Sequence, residues 1–201
     1  MITKRIFDLF FASFGLIVLA PLFFFLAIWI KLDSRGTVYF RQERVGQYGK
    51  IFRIHKFRTM VFEPKDTGLQ ITVRGDPRIT RSGRFLRKYK LDELPQILDV
   101  IMGDMSLVGP RPEVPAYVAK YPEEMKGLVL SVKPGITDFA SIEFRDEAHI
   151  LAESPDPEEA YVNQILPVKL NYYRRYVAER SLWLDSVLIF RTLKAIFWAR
   201  P

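Results

Sequence analysis

The sequence predicts an α+β chain that is mostly helical, with an N-terminal apolar membrane helix interrupted by a proline, a small β-hairpin, several short helices and a C-terminal amphipathic interfacial helix. Three observations predict it. Ile6–Ile30 is an almost uncharged apolar run. Val38–Arg44 and Ile51–Met60 are rich in β-branched and aromatic residues and flank Gly46-Gln47-Tyr48-Gly49, the pattern of a hairpin with a longer loop. Beyond them, Pro and Gly punctuate short stretches of helical periodicity.

The apolar run carries one formal charge, Asp8. At about 1.5 Å per residue it is long enough to cross a hydrocarbon core of about 30 Å. It is too long for a cleaved signal peptide and lacks a small-residue cleavage site. Pro21 lies well inside it, where a missing N–H and a ring clash favour a break or kink. Lys4 and Arg5 precede the run while Lys31 and Arg35 follow it, and basic residues at both ends prefer the cytoplasmic side. A straight span and a kinked helix that returns within one leaflet both stay open on these residues, beside a buried core helix. The chain therefore divides into an anchoring segment, residues 1–35, and a cytosolic-face domain, residues 36–201.

After the hairpin, Glu63–Asp76 reads as loop. Helical patterns follow over Ser82–Tyr89 and Leu94–Met102, bounded by Gly103 and by the Gly109-Pro110-Arg111-Pro112 turn. Glu158–Ala178 is a longer helix, with Asp156 placed to cap it and Pro157 to start it. Ser181–Trp198 interrupts its apolar residues with Asp185, Arg191 and Lys194. It is too charged to span; it suits a membrane interface or packing on the domain.

Composition limits the chemistry. The 201 residues suffice for one domain with a real core, and the formal charge of +7 favours anionic partners. Without cysteine there is no disulfide or thiolate catalysis, and the two histidines, His55 and His149, do not suggest a His-based metal site. The charge alone would suit nucleic acid. The apolar segment and the absence of a nucleic-acid-binding motif count against that.

Chemistry concentrates in Arg87–Pro112, where an adjacent carboxylate pair, Asp92-Glu93, sits among Arg84, Arg87, Lys88, Lys90 and Arg111. One reading is an ordinary helix-capping pattern with Pro95 just inside. The other is functional. Neighbouring helical residues diverge by about 100°, so the two carboxylates would take different roles, one attacking phosphorus or holding a divalent metal and the other orienting it or handling a proton. Carboxylates that face phosphates need Mg²⁺ and nearby arginines to neutralise charge.

Lys4-Arg5-Ile6-Phe7-Asp8, Lys56-Phe57-Arg58-Thr59-Met60, Asp76-Pro77-Arg78-Ile79-Thr80, Leu91-Asp92-Glu93-Leu94-Pro95-Gln96, Gly103–Pro112, Lys133-Pro134-Gly135-Ile136-Thr137 and Ser181-Leu182-Trp183-Leu184-Asp185 occur in one order over nearly the full length. With these pieces the chain resembles the bacterial sugar transferases of the monotopic phosphoglycosyl transferase family. The resemblance implies transfer of a sugar-1-phosphate from a UDP-sugar to a polyprenyl phosphate, with release of UMP, at the cytoplasmic face of a bacterial inner membrane. It implies that Asp92 attacks the sugar-bearing phosphorus in a ping-pong mechanism and that Glu93 assists Asp92 or the incoming lipid phosphate. Mg²⁺ would bridge Asp92 and the donor diphosphate. Arg87 and Arg111 would bind phosphate oxygens, joined by Lys56, Arg58 and Arg145. It also implies a re-entrant anchor among membrane lipids, with a homodimer as a possible assembly. Tyr89-Lys90 and Asp99 depart from the usual pattern, in which small hydroxylated residues precede the Leu-Asp-Glu core and asparagine stands at the later position. No multi-span region precedes Ile6, as expected of a minimal catalytic module. A UDP-releasing glycosyltransferase and a non-catalytic membrane scaffold are the alternatives; a GxGxxG fingerprint and a Walker-type loop are both absent.

Overall fold

The computed structural model describes residues 2–61, 76–144 and 147–197. The loop expected over Glu63–Asp76 lies outside them except for Asp76.

The apolar run folds as α1, Ile2–Asp33, a 32-residue helix. Pro21 lies inside it without dividing it into two elements. One side of α1 is buried through Ala12, Phe23, Leu26 and Ile30, against Phe57, Leu86, Ile97 and Val100 of the domain. The remaining circumference is open, with Phe10, Phe14, Ile17, Phe24 and Phe25 all exposed.

Both ends of α1 are fastened by charge. Near its start the Arg5 guanidinium donates to the Val100 and Ile101 carbonyls at 2.6 and 2.9 Å. Asp8, the one acid of the apolar run, is buried and accepts from the Ser106 hydroxyl at 2.9 Å and the Leu107 amide at 3.2 Å. Lys4 joins Asp8 to Asp185 near the far end of the sequence, at 3.1 and 3.0 Å. At the other end, the buried Arg58 guanidinium donates to the carbonyls of Ile30, Ser34 and Arg35 at 3.2, 2.6 and 2.7 Å. Carbonyls in the last turn of a helix have no partner within it, and Arg58 supplies one.

The hairpin forms as expected. Strands β1, Tyr39–Val45, and β2, Ile51–Phe57, pair antiparallel from Tyr39↔Phe57 to Val45↔Ile51. Helix α2, Arg81–Lys88, starts where the Thr80 hydroxyl accepts the Gly83 amide. Helix α3, Gln96–Met102, ends on Gly103 at φ 93°, a left-handed position that glycine adopts freely. A second sheet was not anticipated. Strands β3, Ser106–Val108, and β4, Gly135–Thr137, pair in parallel. Two stretches read as turns from their Gly and Pro thus form a crossing: a Cβ on Gly135 would lie 2.0 Å from the Gly109 nitrogen.

Short helices α4, Pro115–Val118, α5, Glu123–Val129, α6, Phe139–Glu143, and α7, Glu147–Ala152, fill the next segment. The long helix expected over Glu158–Ala178 runs as α8, Pro157–Ala160, a π turn over Tyr161–Ile165, and α9, Leu166–Glu179. Asp156 caps it, accepting the Glu158 and Glu159 amides at 3.0 Å. The wide turn lies just before Pro167, which has no N–H to bond back and whose ring crowds the carbonyl four residues earlier. Helix α10, Leu182–Phe197, packs one side on the domain and leaves an apolar side open. Asp185 and Leu188 are buried against the domain, whereas Trp183, Phe190 and Leu193 are exposed.

Candidate active site

The carboxylate pair sits on a reversal between α2 and α3. Lys90 takes a left-handed φ of 56°, and Leu91–Glu93 follows as one turn of 3₁₀ helix. The residue that caps α3 is Pro95, and neither carboxylate caps a helix. The capping reading of Asp92-Glu93 is thereby removed.

Sequence neighbours, the two carboxylates have opposite surroundings. Glu93 is clamped: Lys56 Nζ donates to its Oε1 at 2.8 Å, Arg111 Nη1 to its Oε2 at 3.0 Å, and Arg111 Nη2 to Oε1. Burial pushes Glu93 up, but the cations of Arg111 and Lys56 more than offset it and hold the carboxyl well below its ordinary range. Asp92 is buried, and its Oδ1 has no hydrogen-bond partner among the described residues. Burial, and then the charge of Glu93, push its pKa up, partly offset by Lys56, Arg87 and Lys90. The arrangement therefore holds one carboxylate fixed and ionised, and keeps the other poorly solvated and short of partners. Such a group is a strong nucleophile once ionised and has an oxygen to offer a cation.

The cations sort themselves by position. Lys56 reaches Glu93 from the end of β2, and Arg111 reaches it from the turn after β3. The Arg111 amide is held by Asp138 Oδ2 at 3.0 Å, and Asp138 also caps α6 through the Ser141 amide. Arg87 donates its Nε to the Thr59 hydroxyl at 2.9 Å and acts electrostatically on Asp92. Arg58 is not at this site; its guanidinium is spent on the end of α1. Arg145 lies outside the described residues. The two departures from the family pattern also find places. Asp99 is fully buried and accepts the His55 amide at 2.9 Å and His55 Nδ1 at 2.6 Å, tying the hairpin to α3. Tyr89 packs on Phe85, which itself packs on Trp29, so Lys90 is the changed residue that faces the cavity.

A cavity of about 780 Å³ opens beside Glu93, with Lys90 and Arg111 also on its wall. One side is apolar, built from Phe7, Phe11 and Leu19 of α1 and from Ile189, Phe190 and Ile196 of α10. Its polar side includes Arg44, Glu113, Tyr161 and Lys169. Sequence reasoning missed that polar side. A signal was present: Tyr161, Ile165, Lys169, Tyr173 and Tyr176 recur at helical spacing on one buried stripe, and a lysine within such a stripe needs a partner. Lys169 finds one in Glu147 Oε2 at 2.5 Å.

Among the described residues no cluster of three or more His, Cys, Asp or Glu side chains could hold a metal. That does not argue against Mg²⁺, which takes one or two protein carboxylates and completes its shell with water and substrate phosphates. The unpartnered Asp92 Oδ1 fits such a ligand.

The family model for bacterial sugar transferases matches residues 1–199. The chain is 36% identical over 195 residues to the UDP-N-acetylgalactosamine-undecaprenyl-phosphate N-acetylgalactosaminephosphotransferase of Aeromonas hydrophila, covering 96% of this chain and 43% of that one. It is 36% identical over 193 residues to the UDP-glucose:undecaprenyl-phosphate glucose-1-phosphate transferase of Escherichia coli K12, with 94% and 39% covered. The undecaprenyl-phosphate glucose phosphotransferase of Komagataeibacter xylinus matches at 38% over 206 residues, with 100% and 37% covered. The chain thus spans less than half the length of these relatives. Since the match takes in the apolar helix, the carboxylate turn and the Gly–Gly crossing alike, the chain belongs to the bacterial sugar transferase family.

Proposed function

We propose that this chain transfers a sugar-1-phosphate from a UDP-sugar to a polyprenyl phosphate in two displacements at phosphorus, beginning a surface glycan. The observation that carries the reading is the asymmetric pair: a buried, underpartnered Asp92 beside a Glu93 locked by Lys56 and Arg111.

In the first step an Asp92 carboxylate oxygen attacks the sugar-bearing phosphorus. The P–O bond to UMP breaks, UMP leaves with that electron pair, and the phosphosugar stays on Asp92. In the second step an oxygen of the lipid phosphate attacks the same phosphorus. The aspartyl–phosphate bond breaks, the Asp92 carboxylate is restored, and a polyprenyl-diphosphate-sugar is formed. Splitting the transfer keeps the two anionic substrates from having to meet at one time. Mg²⁺, held by Asp92, would supply neutralising charge at the diphosphate when bound. Arg87 and Lys90 add fixed positive charge on the approach.

Glu93 is a poor proton acceptor while its carboxyl is held so low. Its role is to fix Arg111 at the cavity wall, with Lys56 held beside it. The apolar side of the cavity suits an isoprenoid chain arriving along α1 and α10, which supports a lipid-borne acceptor. The exposed apolar face of α1 supports anchoring in a membrane, at whose surface a soluble nucleotide-sugar and a lipid phosphate can meet.

The test uses detergent-solubilised protein with polyprenyl phosphate, Mg²⁺ and a panel of UDP-sugars, with UMP and UDP measured separately. Lipid-dependent UMP release is expected with at least one donor. UDP release instead would mean plain glycosyl transfer. Asp92→Asn should abolish turnover; more than trace activity would refute the covalent step, and activity that survives EDTA would remove the metal.

A further inference from the structure

The chemistry at Asp92 draws on Arg87 and Lys90 and leaves the other basic residues of α2 without a task. That helix has two faces. Ser82, Gly83 and Leu86 are buried, and Arg87 turns its Nε to the Thr59 hydroxyl. Arg81, Arg84, Phe85 and Lys88 are all exposed, and at i, i+3, i+4 and i+7 they form one stripe. None of the four lines the cavity.

Residues 81–90 hold five basic side chains and no acid. Among the described residues, Arg81, Arg84 and Lys88 have no ion-pair partner. The acids beside and before the helix are engaged: Asp33 Oδ2 accepts the Ser82 amide and hydroxyl, both at 2.8 Å, and Asp76 Oδ2 pairs with Arg78 at 2.6 Å. Like charges three and four residues apart, as in Arg81–Arg84 and Arg84–Lys88, repel one another on a helix in water. An anionic surface opposite the stripe turns that repulsion into attraction.

The stripe also continues the apolar face of α1. Phe85 packs on Trp29 with ring centroids 5.2 Å apart, and Tyr89 packs on Phe85 at 4.7 Å. Phe25 and Leu32, four residues before Trp29 and three after it, are exposed at 67% and 82%. Apolar side chains, partly exposed aromatic rings and then a row of cations follow one another across this surface. Hydrocarbon, interface and headgroups follow one another in the same way across a leaflet. A soluble anion or a nucleic acid would meet the cations and leave Phe25 and Leu32 in water. We propose that the outer face of α2 is a second membrane contact, taking the phosphates of anionic glycerophospholipids through Arg81, Arg84 and Lys88 while α1 enters the apolar layer. The inference rests on the reading of α1 as a membrane anchor, and it concerns bulk lipid rather than the polyprenyl phosphate of the cavity.

Lipid retention by the full chain tests this. The protein is held in detergent micelles doped with equal amounts of phosphatidylglycerol and phosphatidylcholine, without polyprenyl phosphate. It is then washed in lipid-free detergent, and the lipid left per protein is quantified. The wild type should retain phosphatidylglycerol over phosphatidylcholine by about tenfold or more, as three basic residues near an anionic headgroup layer would supply. A chain carrying Arg81→Gln, Arg84→Gln and Lys88→Gln should retain the two lipids nearly equally. A charge-matched control on other elements, Arg53→Gln, Lys120→Gln and Lys126→Gln, should keep the wild-type preference. High salt should collapse that preference in the wild type itself, a readout that needs no variant. A wild type without preference, a preference that survives high salt or the α2 substitutions, or an equal loss in the control would each overturn the proposal. Sedimentation with membranes after a high-salt wash judges the anchoring by α1 separately, and UMP release judges the chemistry.

Discussion

Asp92 and Glu93 differ in what ionisation costs them, and stability measured against pH should expose the difference. The folded pKa of Asp92 is raised, so its contribution is fully present at low pH and is lost as pH rises through that value. At neutral pH its charge is a burden. Asp92→Asn should therefore melt higher than the wild type near neutrality, with the gap closing on acidification, while turnover disappears. Glu93 has a depressed folded pKa, so its contribution is present above the unfolded value and is lost as pH falls through the folded one. Glu93→Gln leaves Lys56 and Arg111 without their partner and should cost about 2–4 kcal/mol at neutral pH. Denaturation of both variants over a pH series checks the signs; a destabilised Asp92→Asn would mean that this carboxylate is paired. The pair itself was legible in the sequence from two adjacent acids among basic residues. Its asymmetry was not, because it depends on Lys56 and Arg111 arriving from a strand and a turn elsewhere in the sequence.

Among the elements, those with a cap or a period in the sequence were the legible ones. The hairpin, α2, α3 and the Asp156-capped helix all announce themselves through turn residues, caps and apolar spacing. Strands β3 and β4 have three residues each, too few to show alternation, and their Gly and Pro read only as turns. Their pairing depends on the contact of Gly109 with Gly135, so Gly135→Ala should destabilise the fold by about 2 kcal/mol or more through the forced clash. An unchanged melting temperature would mean that the crossing can open. The motif containing Lys56 and Arg58 shows another limit of sequence reading. Two basic residues two apart, Lys56 in β2 and Arg58 just past its end, look alike in sequence, yet of the two only Lys56 reaches the carboxylates. Arg58→Ala should cost about 1.5–3 kcal/mol, the range for hydrogen bonds to a charged group, by freeing the last turn of α1. The KM for donor should not change; a raised KM with unchanged melting would place Arg58 on the substrate path.

At the scale of the whole molecule, α1 serves two surroundings, and the sequence showed only one of them. Hydropathy marks a segment able to cross a membrane, and α1 is the one described helix that passes that test of length and composition. Hydropathy cannot show that one side of the same helix is docked on the domain through Ala12, Leu26 and Ile30, or that Lys4, Asp8 and Asp185 tie its start to α10. The exposed side carries Phe24 and Phe25, at 64% and 67%, and α10 adds Trp183 at 79%. Exposed apolar surface of this extent is costly in water, and a membrane would cover it. The whole chain should therefore stay with membranes through a high-salt wash and leave with detergent. Replacing Phe24 and Phe25 with glutamate should shift the chain toward the soluble fraction, because two charges would then have to enter the lipid. The same variant should melt normally in detergent, since neither ring is buried against the domain. Sedimentation after salt and after detergent, with melting in parallel, separates loss of anchoring from loss of fold. Release of the wild type by salt alone would mean that charge, and not the apolar face of α1, holds it to the membrane.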